Sequence, residues 1–462
     1  MKIKVPKIFR NINFWVIAIL LLGAFLRFYN LGTRTYFDAD QEWMAFRSRD
    51  LLNGDLALIG PVTSIGSFSI GPGFIYLNSI FSFIFSKNPI SGSILSVLLG
   101  LLTCLSLYLF AKNFVNQKFA LILLFLVSTS WMFINWDQIP WTPSLFYLAQ
   151  VIVLAGAYLA SIKKDFGWVL LTFGFVVGFQ AHVGIIISIF CAFIYLFITR
   201  SKIPKIKYVI YSIVVLLFGL LPNIVFDVFN NFVNFQRFMS IFSDTNNNYL
   251  SFSKVIGAMA RSTSSIIYPR QINAIDTVIT RVILAAAIAN GLSMLFDKKL
   301  RKLSLLFLIT AIVPPALFYL QQGKFSEYYI MMSVPSLLFL TMFLVYKVFS
   351  NKYLLFVILL VTTIINYTYW KKLDRNLTLQ HKINIVSKIV EMGGKEGYGV
   401  SLTTAPGMNF GYNYLFDYYK AKPNLPPLKD QKKIFTILVP DGFDGIQGIK
   451  DFGGIGLLWQ GI

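Results

Sequence analysis

"TRSKIPKIK" (residues 199–207) sets Arg200, Lys202, Lys205 and Lys207 between two apolar runs, 185–199 and 208–226, that contain no charged residue. A run must reach about 20 apolar residues to cross a bilayer's hydrocarbon core. Short basic loops between such runs mark the cytoplasmic side. The nonapeptide therefore predicts a cytoplasmic hairpin between two membrane spans.

Working outward, the same grammar repeats. Apolar runs occupy roughly 12–29, 90–111, 119–135, 144–162, 167–184, 185–199, 208–226, 272–296, 303–320, 330–348 and 353–370, which predicts about eleven spans. Lys2, Lys4, Lys7 and Arg10 place the N-terminus in the cytoplasm. Counting spans then predicts which loops should be basic. They carry Lys112 and Lys118, Lys163 and Lys164, the 199–207 cluster, Lys298, Lys299, Arg301 and Lys302, and Lys347 with Lys352. An odd number of spans leaves the C-terminal segment, 371–462, outside. The first run is longer than a signal-peptide core and lacks a small-residue cleavage site, so a retained first helix is expected.

Composition agrees: 56% of the 462 residues are hydrophobic and only 13% charged, against about 25% charged in soluble domains. The net charge of +21 lies in clusters between apolar runs rather than on one face, which excludes nucleic acid as the reason for it. Cys104 and Cys191 sit within apolar runs and read as packed thiols. Few charges lie inside the spans, which gives an ion or proton relay little to run on. A transporter or flippase of lipid-linked sugars, the alternative function, would want polar residues in several spans and repeat symmetry. A non-catalytic scaffold would leave the acidic first outer loop unexplained.

The outward face holds the unusual residues. In "FDADQEW" (37–43), Asp38, Asp40 and Glu42 crowd like charge into five positions. The stretch that follows interleaves Trp43, Met44, Phe46, Leu51 and Leu52 with Arg47, Arg49 and Asp50, and ends at Asn53-Gly54. That predicts an amphipathic interfacial helix. Asp38 with Gln41 fits a capping box, although Asp40 would cap equally well. Residues 73–86, after the Gly71-Pro72-Gly73 break, are short for a span. Spanning would also throw every later basic loop to the outside, so a second interfacial helix is expected. In the tail, 396–404, 432–440 and 454–462 read as strands and 410–422 as a helix, a small α/β module outside the membrane.

This ordered set of pieces resembles the GT-C glycosyltransferases, in particular the family of protein O-mannosyltransferases and aminoarabinose-lipid A transferases. The resemblance rests on "LRFYNLG" (26–32), "DQEWMAFRSRDLLNGD" (40–55), "GPGFIYLNSIFSFIFS" (71–86), "NWDQIPWTPSLFYLAQ" (135–150) and "VGFQAHVG" (177–184). It covers residues 14–200 well and the later spans by hydropathy. Aligned on Ala45, Arg49 and Leu52, Asp40 falls on the family's catalytic aspartate. Gln41 replaces the usual following glutamate, which weakens any metal held by that pair.

The resemblance implies a fold, a donor and a site. The fold is an all-α polytopic GT-C domain (1–370) followed by the exterior α/β module (371–462). The donor is a polyprenyl-phosphate sugar, and the acceptor is a hydroxyl on a lipid, protein or glycan. Such a donor carries its own good leaving group, so one general base suffices, and Asp40 is the candidate. A helix N-terminus would favour its ionised form, and single displacement would invert the anomeric centre. Asp38 or Glu42 would orient the acceptor or sugar. Asp137 beside Trp136 and Trp141, His182 in its turn, and Glu327 before Tyr328 and Tyr329 are the other substrate-binding candidates; Asp227 is a weaker one. Solvated, packed or interfacial roles remain open for each.

The leaving phosphate needs a counter-charge. Arg34, Arg237, Arg261, Arg270 and Lys324 are available outside, as are the amides of the 71–73 turn. Asp38, Asp40 and Glu42 could hold a divalent cation, but no cofactor is expected. "GKFS" (323–326) lacks the upstream glycine of a P-loop.

Overall fold

A computed structural model of the chain describes residues 12–64, 67–241, 250–267, 274–321, 326–348, 352–372, 375–394, 397–426, 428, 431–439 and 450–461. Each expected span contains a helix. In chain order the first elements are α1 (Ile12–Phe28), α2 (Ala39–Leu52), α3 (Gly73–Ile84), α4 (Ser91–Phe114), α5 (Gln117–Thr129) and α6 (Trp131–Asp137). There follow α7 (Phe146–Ser161), α8 (Phe166–Phe179), α9 (Ile185–Ile198), α10 (Ile206–Phe229), α11 (Val233–Ser240) and α12 (Phe252–Ser265). The helical part closes with α13 (Ala274–Met294), α14 (Arg301–Gln321), α15 (Val334–Val348) and α16 (Lys352–Lys371).

Among the described residues, six helices, α4, α7, α10, α13, α14 and α16, are long and apolar enough to cross a bilayer by themselves, α7 when counted with the short turn before it. The helices α5 and α6 do so as a pair bent by 60°. The apolar helices α1, α8, α9 and α15 are shorter. The bend falls at Ser130, whose backbone is extended. Breaking a helix frees a backbone donor that hydrocarbon cannot satisfy. Here the Trp131 N–H is accepted by Oδ1 of buried Asn366 on α16 at 2.7 Å. Only 6% of the apolar window of α10 is buried within the protein. Ile210, Val214, Leu217, Phe218 and Leu221 stand exposed there. An unpartnered apolar surface of that extent is at home only in lipid. The chain is a multi-pass membrane protein.

Contacts join segments at each end of the helices. The ends of α1 and α16 meet where Trp370 Nε1 donates to Leu26 O at 3.0 Å, and loops expected on that same side meet where Ser64 Oγ lies 2.9 Å from Tyr329 Oη and Asn234 pairs with the Ser69 backbone. Groups at the basic ends also meet: Lys302 Nζ donates to Ser161 O, and Lys118 lies over the Tyr346 ring.

The loop between α1 and α4 carries α2 and α3 side by side. With 12 residues, α3 is about 18 Å long at 1.5 Å per residue, well short of a span. It is joined to α2 by a bond from Asn78 Nδ2 to Ser48 Oγ at 2.8 Å.

After α16 come α17 (Leu379–Gly393), β1 (Gly399–Thr404), α18 (Asn413–Tyr418), β2 (Lys433–Val439), β3 (Lys450–Asp451) and β4 (Gly456–Gly461). The strands form one sheet in the order β1-β2-β4-β3, with β1 and β2 parallel and the other neighbours antiparallel. The three tail strands and the helix expected from sequence are present, and α17 adds to them. Leu379, Ile385, Val386 and Ile389 of α17 bury against Val400, Phe435, Ile437 and Leu457. Phe37 belongs to the same core, and Ala45 and Phe46 pack on it. The module is therefore seated on α2.

Candidate active site

Local chemistry fixes α2. Asp38 is its N-cap, and a capping box is formed with Gln41, whose Oε1 accepts the Asp38 N–H at 3.0 Å. Asn53 caps the other end, and Gly54 takes φ +100°, a conformation that side chains disfavour. With both ends set, each face of α2 has a different neighbour. Gln41, Met44 and Ser48 turn inward and are buried. Asp38, Glu42, Ala45 and Arg49, spaced three to four apart and so on one face, meet the C-terminal module. Asp40, Trp43 and Met44 line a cavity of about 430 Å³.

The cavity walls come from four further places in the chain. Thr63 and Ser64 belong to the loop between α2 and α3, and Trp141 to the turn after α6. His182 belongs to the α8–α9 turn, and Tyr329 to the 3-10 turn Glu327–Met332. Trp141 stacks on Trp136 with ring centres 5.1 Å apart. His182 packs edge-on to Phe146 and tilted against Tyr329. Its Nδ1 accepts the Gly184 N–H at 3.0 Å, which leaves the ring proton of the neutral form on Nε2. Burial pulls its pKa down to about 4, so the imidazole is neutral at physiological pH.

Among the described residues, Asp40 supplies the one carboxylate lining this cavity. The carboxylate is accessible, yet protein walls surround it at longer range. Desolvation, with the neighbouring charge of Asp38 second, raises its pKa above the ordinary aspartate value. These two effects outweigh the helix N-terminus that favours the ionised form. A raised pKa makes the group a stronger base once it has ionised.

The other candidate acids face elsewhere. Asp38 caps α2 and accepts from Lys382 Nζ at 2.6 Å. Glu42 is buried, and its Oε1 accepts the Tyr414 N–H at 2.9 Å. It thus caps the first turn of α18 from another element. Asp137 is buried in an ion pair with Arg27, Nε to Oδ2 at 2.7 Å. Asp227 Oδ1 accepts the Asn234 N–H at 2.8 Å at the start of α11. The side chain of Glu327 lies outside the described residues. The structure thus gathers Asp40 and His182 into one cavity and gives Asp38, Glu42, Asp137 and Asp227 partners within the protein.

Glu42 can be tested directly. Glu42→Ala leaves the Tyr414 N–H without its acceptor, at a cost of about 1–3 kcal/mol, while Glu42→Gln keeps a carbonyl there. Hydrogen exchange over 412–418 should rise in the alanine variant and stay near wild type in the glutamine variant.

The expected phosphate partners sort similarly. The 71–73 amides are already used: Gly71 N–H donates to Phe179 O, and Gly73 N–H to Gln180 Oε1. The Arg34 guanidinium lies 4.0 Å from the Trp370 ring centre. Arg237 is exposed in the last turn of α11. Arg270 and Lys324 fall outside the described residues. Arg261 lines a second cavity of about 330 Å³ between α12 and α13, together with Lys254, Arg281 and the hydroxyls of Ser251, Ser253, Thr277 and Thr280. No group of three or more His, Cys, Asp or Glu side chains fit for a metal occurs among the described residues.

Residues 69–226 match the dolichyl-phosphate-mannose-protein mannosyltransferase family. No curated protein matches the chain. Among solved structures, ArnT from Cupriavidus metallidurans bound to undecaprenyl phosphate superposes with a TM-score of 0.62 at 12% identity, over 96% of this chain and 98% of that one. The archaeal oligosaccharyltransferase AglB from Archaeoglobus fulgidus, in complex with an inhibitory peptide and a dolichol-phosphate, superposes with a TM-score of 0.52 at 12% identity, over 92% of this chain and 69% of that one. At such identity the likeness is one of architecture. The chain has the GT-C fold, with the α/β module included in the match.

Proposed function

We propose that this chain is an inverting glycosyltransferase of the plasma membrane. It moves a sugar from a polyprenyl-phosphate donor to an acceptor hydroxyl on the extracytoplasmic side, with its N-terminus in the cytoplasm. The observation that carries this reading is Asp40, the one carboxylate among the described residues that line a mainly apolar cavity. The family match over 69–226 and the undecaprenyl-phosphate complex of ArnT support the choice of donor.

In this reading Asp40 accepts the proton of the acceptor hydroxyl as its oxygen attacks the anomeric carbon. The carbon–oxygen bond to phosphate breaks on the opposite face, and polyprenyl phosphate departs with the electron pair. No acid need protonate that leaving group. Trp141 offers an aromatic face to the sugar, and neutral His182 a donor from Nε2. The second cavity, with Lys254, Arg261 and Arg281, supplies counter-charge for the departing phosphate. No metal is needed for this balance.

The test is transfer by the purified chain in vesicles that contain a radiolabelled polyprenyl-phosphate hexose or pentose, with outer-leaflet acceptor lipids or peptides. The expected products are polyprenyl phosphate and a glycoside of the anomer opposite to the donor's. A retained anomer overturns the single displacement. Donor that crosses the bilayer unconsumed overturns the enzyme in favour of a flippase.

A further inference from the structure

Three carboxylates within five residues would repel one another if all were ionised and left alone. The structure gives two of them partners from one source, the C-terminal module. Lys382 on α17 is 2% exposed, although lysine seldom buries unless paired. Its ammonium donates to Asp38 Oδ1 at 2.6 Å, to Phe37 O at 2.7 Å and to Phe410 O at 2.9 Å, under the Tyr412 ring. All three ammonium protons are thereby placed. Gly411, at φ +91°, makes this approach possible, because a Cβ there would lie 2.0 Å from Phe37 O and 2.9 Å from Lys382 Nζ. Glu42 and Arg49 on the same face take Tyr414 N–H and Asp417.

We infer that the module is a working part of the catalytic helix: Lys382 offsets part of the Asp38 charge at the N-terminus of α2, while Asp40, the one of the three carboxylates without a polar partner among the described residues, faces the cavity. Lys382 is on this account a positioning residue, touching no substrate. The inference rests on Asp40 being the base. The titratable groups around Asp40 are Asp38 and Glu42 on its own segment, His182 from the α8–α9 turn and Tyr329 from the 3-10 turn. Those around Asp38 are Lys382 from α17 and Tyr412 ahead of α18. Among them, Lys382 is the cation in contact with Asp38. Removing it returns an unbalanced negative charge two residues from the base, which disfavours ionisation of Asp40.

Protonation of Asp40 can be read without knowing the sugar. A water-soluble carbodiimide with glycine ethyl ester modifies protonated carboxyls. Fragment mass spectrometry of the full-length protein in micelles separates modified Asp40 from Asp38. Across about pH 4 to about pH 7.5, a range that brackets a raised aspartate, Lys382→Met should increase Asp40 modification about 3- to 10-fold on the alkaline flank. Asp38→Asn, which keeps an N-cap, should decrease it. The double variant should return close to wild type, and Lys382→Arg should stay there. A purely structural Lys382 would give Lys382→Met the wild-type pH dependence and make the double variant follow Asp38→Asn instead of wild type, and that result overturns the inference. Even if Lys382→Met fails to fold, an unmoved profile in Asp38→Asn is sufficient to overturn it. Glycosyl transfer by Asp40→Asn is scored separately. A dead Asp40→Asn with unmoved profiles sinks only the module's role, while an active Asp40→Asn with moved profiles sinks only the base.

Discussion

Asp40→Asn should lower glycosyl transfer by about 10²- to 10⁴-fold, the usual worth of a positioned general base, or about 3–5 kcal/mol of barrier. The substitution keeps size and shape in a cavity wall whose other members, Trp43, Met44, Trp141 and His182, are untouched. Donor binding should therefore survive, and the loss should fall on turnover. The acid side of the wild-type pH profile should lie above that of an ordinary aspartate, because burial and Asp38 raise the group. Stability should move the other way. A carboxyl whose folded pKa exceeds its unfolded value weighs against folding when ionised, and that weight lifts only as pH falls through the folded pKa. Asparagine carries no such penalty, so Asp40→Asn should unfold no sooner than wild type at neutral pH. An equally active Asp40→Asn enzyme would remove Asp40 from the mechanism.

How much of this was legible in the sequence depends on the distance over which each feature is decided. The helices were legible because bilayer thickness sets the length of each apolar run locally. The capping of α2 was legible because Asp38 and Gln41 are three residues apart. The destination of Glu42 was not: its partner, Tyr414, lies 372 positions away, and nothing near residue 42 says which face of α2 a tail module will cover. A partial signal did exist, since Asp38, Glu42, Ala45 and Arg49 fall on one helical face and Asp40 on another. The amides of the 71–73 turn misled for a related reason. A glycine-rich turn reads as an open anion cradle until Gln180, a hundred positions on, is seen to occupy it. Lys382 carried no local mark, because its burial is a property of the assembled module.

Arg27 and Asp137 show the same limit with a larger energy attached. Arg27 sits at the end of a span and is fully buried; a charge at such a depth demands a partner, and Asp137 closes the apolar run 119–135. Their juxtaposition joins α1 to α6. Arg27 also donates to Gly23 O, Ser128 O and Val127 O. Room for the carboxylate comes from Gly100 on α4, where a Cβ would stand 2.1 Å from Asp137 Cγ. Next in sequence, Gln138 donates to Arg27 O at 2.9 Å, and Trp141 then forms cavity wall. The pair therefore sets where that wall stands. Asp137→Asn retains the shape but strands a buried guanidinium, a loss of about 3–5 kcal/mol. Arg27→Met should be comparably costly, because it strands the carboxylate. The double variant removes both charges and should recover most of the stability, since apolar replacements of buried pairs are often near neutral. Denaturation in mixed micelles would read all three. If the pair instead served the sugar, single and double variants would lose transfer alike while unfolding as wild type does. Recovery of stability in the double variant, with transfer returning alongside it, would fix Asp137 as the brace of the cavity rather than a ligand within it.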